Sequence, residues 1–223
     1  MRWEHLLFAH WPVSAAILRP LVPPQLDLLL WGGDAWVGVV PFAMSRIRPL
    51  NAGLPRGGFD FDEVNVRTYV GTRDGTEGVW FLSLDGDHLL GSLVARIAFG
   101  IPYRRASVRV TSDGERIRAT VVPSAPAHPS VDVRYQPVGP AIMEPDPLDA
   151  FLTDRLVMFG LRRGRLLRAE VEHDPWPLRR AEARFDRLEV PALGWERAPG
   201  TMPHLRYARS LDVRFPGLPS AAG

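Results

Sequence analysis

Glu63, Asn65, Arg67 and Tyr69 occupy alternate positions in a stretch whose intervening residues are Val64, Val66 and Thr68, with Val70 following. In an extended strand alternate side chains share one face about 6.5 to 7 Å apart, so the four form a polar line roughly 20 Å long. A carboxylate, an amide, a guanidinium and a phenol in such a line can move a proton, orient an oxygen and hold an anion. On an open sheet the line is wet surface. On a sheet that closes, it points into a lumen and its groups converge on a ligand. These residues alone leave both arrangements open.

Other chemistries are restricted by what the chain lacks. There is no lysine, so the 27 basic residues are all arginine, and there is no cysteine. Neither a thiolate nor a lysine Schiff base can serve as nucleophile, and no disulfide suggests secretion. Phosphate-cradling glycine loops, a G-x-S-x-G elbow and an H-E-x-x-H pair are missing. The histidines at 5, 10, 88, 128, 173 and 204 show no pair at helical-turn or alternate-strand spacing. No metal site and no cofactor is therefore expected. His10 and His173, beside tryptophan or close to it, read as packed and hydrogen-bonded rather than catalytic.

The sequence pI is about 9.5 although the net charge is only +2. Arginine stays protonated and leaves little to titrate near neutrality, so the high pI points only weakly to nucleic acid. The densest basic run, Arg162, Arg163, Arg165 and Arg168, is followed by Glu170, Glu172 and Asp174. It reads as a self-compensated solvated face with no interleaved stacking aromatics, and no nucleic-acid partner is expected. No stretch approaches the roughly 20 apolar residues of a membrane-spanning helix. A cytoplasmic protein without a membrane partner is the expectation.

The elements that would position the polar line follow from periodicity and breakers. Ser14 caps a short helix over residues 13–21, stopped by Pro23 and Pro24. Residues 26–31 and 35–47 read as a hairpin about Gly32-Gly33-Asp34, with Pro41 marking a bulge or edge. Residues 49–60 have turn chemistry throughout, the composition of a lid or rim. Strands are predicted over 61–70 and 78–84, a helix over 88–99, and a hairpin over 107–122. A strand over 131–136, a helix over 147–159 capped by Asp146, and strands over 166–173, 181–190 and 205–213 complete the reading. Asp154-Arg155 would tie the second long helix to the sheet. Trp11, Trp36, Trp80 and Trp176 read as core or pocket wall.

Two resemblances narrow the fold. The stretch Ala95-Arg96-Ile97-Ala98-Phe99-Gly100-Ile101-Pro102-Tyr103-Arg104 resembles the G-R-E-x-x-G-x-P-K-K segment of acetoacetate decarboxylases, with Arg96, Gly100 and Pro102 in register. Glu63 stands where that family carries an acidic active-site residue. Over nearly the whole chain the sequence resembles the YqjF-like family, a domain of unknown function in the acetoacetate decarboxylase-like superfamily. That resemblance rests on Leu7-Phe8-Ala9-His10-Trp11, residues 35–42, 63–70 and 78–85, Pro102-Tyr103, residues 151–155, and His173-Asp174-Pro175-Trp176-Pro177. It implies a largely β fold with a central enclosed pocket and no assigned activity. In the decarboxylase register Tyr103 stands at the nucleophile lysine, Arg104 at its cationic neighbour and Ile97 at the motif's glutamate. A guanidinium is no amine nucleophile, so only the pocket would be inherited.

The expected protein is thus α+β and mainly β, an acetoacetate decarboxylase-like curved, barrel-like antiparallel sheet with about three short helices. It forms a single domain over residues 1–215 with a flexible tail over 216–223. Within the implied pocket Glu63 and Tyr103 are the catalytic candidates, Glu63 moving a proton and Tyr103 donating to a carbonyl or enolate oxygen. Asn65, Arg67, Tyr69, Arg96 and Trp80 are the ligand-binding candidates, Arg67 or Arg96 clamping a carboxylate. Three functions compete. The first is a small-molecule binding protein for an organic acid or similar ligand. The second is a lyase or isomerase using Glu63 and Tyr103 on a keto or hydroxy acid. The third, ranked last, is an arginine-based interaction module. A homo-oligomer is compatible with the family, but nothing in the sequence identifies an interface.

Overall fold

The computed structural model describes residues 1–47, 59–87 and 100–222. The predicted helix over 88–99, with Arg96, and most of the predicted loop over 49–60 lie outside those residues. The chain runs β1 (Arg2–Val13), α1 (Ala15–Leu18), β2 (Asp27–Leu28), β3 (Ala35–Ile47), β4 (Phe59–Gly71), β5 (Glu77–Gly86), β6 (Tyr103–Arg105), β7 (Ser107–Asp113) and β8 (Arg116–Val122). It continues with β9 (Ser130–Ala141), α2 (Pro147–Thr153), β10 (Val157–Arg162), β11 (Arg165–Glu170), β12 (Glu172–His173), β13 (Leu178–Glu189), β14 (His204–Arg214) and β15 (Ser220–Ala221). Two short α-helices are present among the described residues, and neither is long and apolar enough to cross a membrane.

One curved sheet contains every strand, in the order β15-β11-β10-β5-β4-β3-β1-β14-β13-β9-β8-β7, with β2 added to β4, β6 to β5 and β12 to β14. Pairing is antiparallel except where β10 and β6 run parallel to β5. The sheet curls until edge strand β7 meets β4, where the Val110 amide donates to Asp62 Oδ2 at 2.8 Å. That side-chain bond stands in place of a ladder, so the sheet is barrel-like but open among the described residues.

The interior of the curl is filled. Val64 and Val66 of β4 point inward with Leu7, Trp11, Val37, Val39, Val108, Ile117 and Val133, all almost fully buried. The expected central lumen is therefore a packed aliphatic core. Strand parity decides this: the valines of β4 take the inner face, and the polar line must take the outer one. A second layer covers that outer face, comprising Leu152 of α2, Tyr103, Ile101 and Trp176.

Several predicted elements are corrected by long-range pairing. The 26–47 hairpin does not form, because Asp27 and Leu28 pair with Gly71 and Val70 of β4. Only the Trp31–Asp34 bridge remains around Gly32 and Gly33. The 147–159 helix ends at Thr153, because Met158 and Phe159 pair with Val79 and Trp80 of β5. β1, central in the sheet, has no counterpart among the predicted strands. Its one-residue bulge between Glu4 and Ala9, with His5 at φ 56°, lies opposite Pro41, the bulge position the sequence suggested. Ser14 does cap α1, accepting from the Ala16 amide, but the α-helix is only four residues long. In the tail expected to fray, Ser220 and Ala221 pair with Arg168 and Leu167.

The parallel junction between β5 and β10 depends on Gly78, where a Cβ would lie 2.4 Å from the Val157 carbonyl oxygen. Because that obstacle is backbone, Gly78→Ala is expected to cost about 1–3 kcal/mol. The check is the thermal melting temperature together with hydrogen exchange of the β10 amides, which should accelerate ahead of those of β1.

Candidate functional site

Short α2 is locked at both ends. Its N-terminus is a capping box in which Asp146 accepts from the Asp149 amide at 2.8 Å and Asp149 accepts from the Asp146 amide at 3.3 Å. Asp149, 1% exposed, is also 2.7 Å from His204 Nε2 and 2.7 Å from Arg206 Nε, both on β14. Asp146, Asp149 and His204 bring ligand-type atoms within 4.8 Å of one another. Arg206 supplies the positive charge there, which makes the cluster a tie between helix and sheet.

At its C-terminus a helix leaves carbonyls without intrahelical partners. Side chains satisfy the last three. Phe151 O accepts from Arg155 Nε at 3.0 Å, and Thr153 O accepts from Trp176 Nε1 at 3.0 Å. Leu152 O accepts from Arg67 Nη2 at 3.1 Å and from the Tyr69 hydroxyl at 2.8 Å. Arg155 also pairs with Glu77 of β5, so the tie expected from Asp154-Arg155 is made by Arg155.

The helix end thus closes over half of the polar line, and Tyr103 closes over the other half. Tyr103 enters on β6, opposite Leu84 of β5, and its hydroxyl donates to Glu63 Oε2 at 2.6 Å. Gly86 makes the crossing possible, because a Cβ there would lie 2.8 Å from the Tyr103 hydroxyl. Glu63 and Asn65 are 6% and 4% exposed and Tyr69 is fully buried. The line is therefore neither wet surface nor a lumen lining, but a polar seam between two layers.

Burial pushes the Glu63 carboxyl up to about 7, the bonds from Tyr103 and Asn65 oppose that rise, and the Asp85 charge adds to it. Burial and the neighbouring Glu63 push the Tyr103 hydroxyl well up, so it remains a donor. Arg67 is partly exposed, with its guanidinium 5.6 Å from the Phe8 ring and 5.8 Å from the Tyr69 ring. Its Nε is buried without a hydrogen-bond partner, and no carboxylate lies within 4.0 Å of it among the described residues. Asn65 Oδ1 is likewise buried and unpartnered.

His10, given no site role by its sequence context, belongs to this seam. Its Nε2 is 2.7 Å from the Tyr69 oxygen. Tyr69 donates its single proton to Leu152, so His10 must be the donor to Tyr69, which fixes the neutral Nε2–H tautomer. Burial, then Arg67, hold its pKa well below the ordinary histidine value. The sequence signal for this contact was Gly38, a glycine within an apolar strand, where a Cβ would lie 2.8 Å from the His10 ring. Trp80 is the opposite case. It points to the reverse face, donates Nε1 to Leu21 O at 3.0 Å and packs with Val22, Val70 and Phe159. It is core rather than ligand wall. Of the seven predicted site residues the structure brings five onto one seam: Glu63, Asn65, Arg67, Tyr69 and Tyr103.

Comparison with known proteins agrees with this architecture. The enduracididine biosynthesis enzyme MppR, solved with pyruvate, superposes with a TM-score of 0.67 at 14% identity, over 99% of this chain and 88% of that one. The acetoacetate decarboxylase of Legionella pneumophila superposes with a TM-score of 0.69 at 11% identity, over 100% of this chain and 88% of that one. At these identities the likeness establishes the fold. The uncharacterized protein YqjF of Bacillus subtilis is 36% identical over 214 residues, 96% of this chain and 88% of its own length. Residues 1–212 match the family model DUF2071, described as an uncharacterized conserved protein. This lysine-free chain, with its Tyr103–Glu63 seam on an acetoacetate decarboxylase-like sheet, belongs to the DUF2071 family.

Proposed function

We infer that the protein binds a small organic acid at the seam on the outer face of β4, with the ligand carboxylate at Arg67 and its remainder toward Glu63 and Tyr103. The observation that carries this reading is Arg67, a partly buried cation with an unpartnered Nε and no carboxylate within 4.0 Å among the described residues. Cations withdrawn from water require a counter-charge, and a guanidinium matches a carboxylate in both charge and shape. MppR, which shares the fold, was solved with pyruvate, a ligand of the same class. With no lysine in the chain, binding need not proceed to a lysine Schiff base.

The Glu63–Tyr103 pair favours a second reading, acid–base turnover of a keto or hydroxy acid by a lyase or isomerase. A carboxyl that titrates near 7 can accept and return a proton at neutral pH. When Glu63 takes a proton from carbon, the Tyr103 hydroxyl is released from the carboxylate and can donate to the enolate oxygen that forms. In a keto acid with a double bond next to the carbon that loses the proton, return of that proton to the far end of the dienolate completes an isomerisation.

Two measurements test these readings. A carboxylate ligand at 100 times its Kd should add about 2.7 kcal/mol, which raises the melting temperature by several degrees in a chain of this size. Arg67→Gln should abolish that shift, and an undiminished shift would remove Arg67 from the site. Glu63 is linked to stability as follows. Its folded pKa of about 7 lies above the ordinary 4.5, so the native state holds the extra proton and loses stability as pH rises through that interval. The loss amounts to roughly 3 kcal/mol. Glu63→Gln should therefore melt progressively higher than the wild type between pH 4.5 and 8; a pH-independent difference would contradict the shifted carboxyl.

A further inference from the structure

Between the anion-seeking end of the seam and its proton-handling end stands Asn65, 4% exposed. Its amide lies beside the Glu63 carboxyl and lowers that group's pKa, and its Oδ1 is buried without a partner. An amide oxygen left bare inside a protein loses its bonds to water and gains nothing in return. One position further along the same face, Arg67 Nε is buried and bare as a donor. The seam therefore carries two unmet needs of opposite sign on neighbouring side chains: an acceptor waiting for a hydrogen and a cationic donor waiting for an oxygen.

We propose that Asn65 makes the site selective for hydroxy carboxylic acids over the corresponding keto acids, the ligand hydroxyl donating to Asn65 Oδ1 while its carboxylate accepts from Arg67. This rests on the anion-binding reading of Arg67 and names the class of acid. A keto acid satisfies Arg67 equally but sets a carbonyl oxygen against the amide oxygen, two acceptors with no hydrogen between them. Turning the amide over would relieve that clash only by directing Oδ1 at the ionised Glu63, which already accepts from Tyr103. The ionised carboxylate thus holds the amide orientation, and the amide reads the ligand. Sites built to bond a hydroxyl discriminate strongly against analogues without it, because the buried protein group is then left unpaired.

The test is calorimetric titration at pH 8, above the Glu63 titration near 7, with two matched pairs: lactate and pyruvate, and 3-hydroxybutyrate and acetoacetate. In the wild type the hydroxy member of a pair should bind on the order of tenfold more tightly than its keto partner. Asn65→Ala should close that gap mainly by weakening the hydroxy acid, and Arg67→Gln should weaken both members alike. Equal affinities, or a tighter keto acid, with binding still dependent on Arg67 would overturn the hydroxyl selectivity and leave the anion site standing. Binding by neither pair would overturn both. The wild-type comparison decides the matter even if Asn65→Ala does not fold, and a melting curve identifies that case.

Discussion

The site depends on the meeting of one helix end with one strand. α2 is only seven residues long, too short to hold itself together, and its last carbonyls need donors. Arg67 and Tyr69 of β4 supply two of those donors at the Leu152 carbonyl, and Trp176 and Arg155 serve its neighbours. In return the helix covers the outer face of the sheet. At the other end of α2, Asp149 is shared between its own capping box and His204 and Arg206. Without this double tie the Arg67 and Tyr69 half of the polar line would be a wet surface. With it, the line is a seam in which carboxylate, amide and histidine are removed from water, and the proton affinities of Glu63 and His10 shift accordingly.

β4 serves two layers at once. Its valines fill the interior of the curled sheet, while its polar residues face the second layer. Both faces are buried, yet only one is apolar. Each polar residue of the seam needs a partner, and several have one: Tyr103 for Glu63, Leu152 and His10 for Tyr69. The exceptions are His10 Nδ1 and, at adjacent positions of the row, Asn65 Oδ1 and Arg67 Nε. Buried polar atoms without partners are uncommon enough in folded proteins to call for an explanation. A ligand with one donor and one anionic group would account for Asn65 Oδ1 and Arg67 Nε.

The fold is shared with acetoacetate decarboxylase, but at the position where the decarboxylase register has its lysine this chain has Tyr103, seated over Gly86 and bonded to Glu63. Schiff-base chemistry requires an amine that can lose its proton; a phenol raised well above its ordinary pKa is suited instead to remain a hydrogen-bond donor. The scaffold is shared while the side chain at that position differs, and likeness of fold does not carry an activity across.

The alternation of Glu63, Asn65, Arg67 and Tyr69 with valines was legible in the sequence because strand parity is a local property: adjacent residues must take opposite faces. So were the 13 residues of β3 and the Asp146 cap of α2. The membership of Tyr103 beside Glu63 came from resemblance, 40 residues away in sequence and 2.6 Å apart in space. Parity says which residues share a face, but not which face is inside. That choice, which filled the curl with valine and turned the polar line outward beneath α2, was made by the curvature of the whole sheet. For the same reason β1 and β10 could not be read locally, since the pairing that makes them strands is with residues far along the chain. Trp80 and His10 exchanged their expected roles because only the assembled layers decide what lies across from a side chain. The sequence by itself determined the kinds of chemistry available, without lysine or cysteine, and the set of polar groups that must travel together. Only the tertiary structure decided that those groups are buried, because withdrawal from water is a property of the packed layers and not of any segment within them.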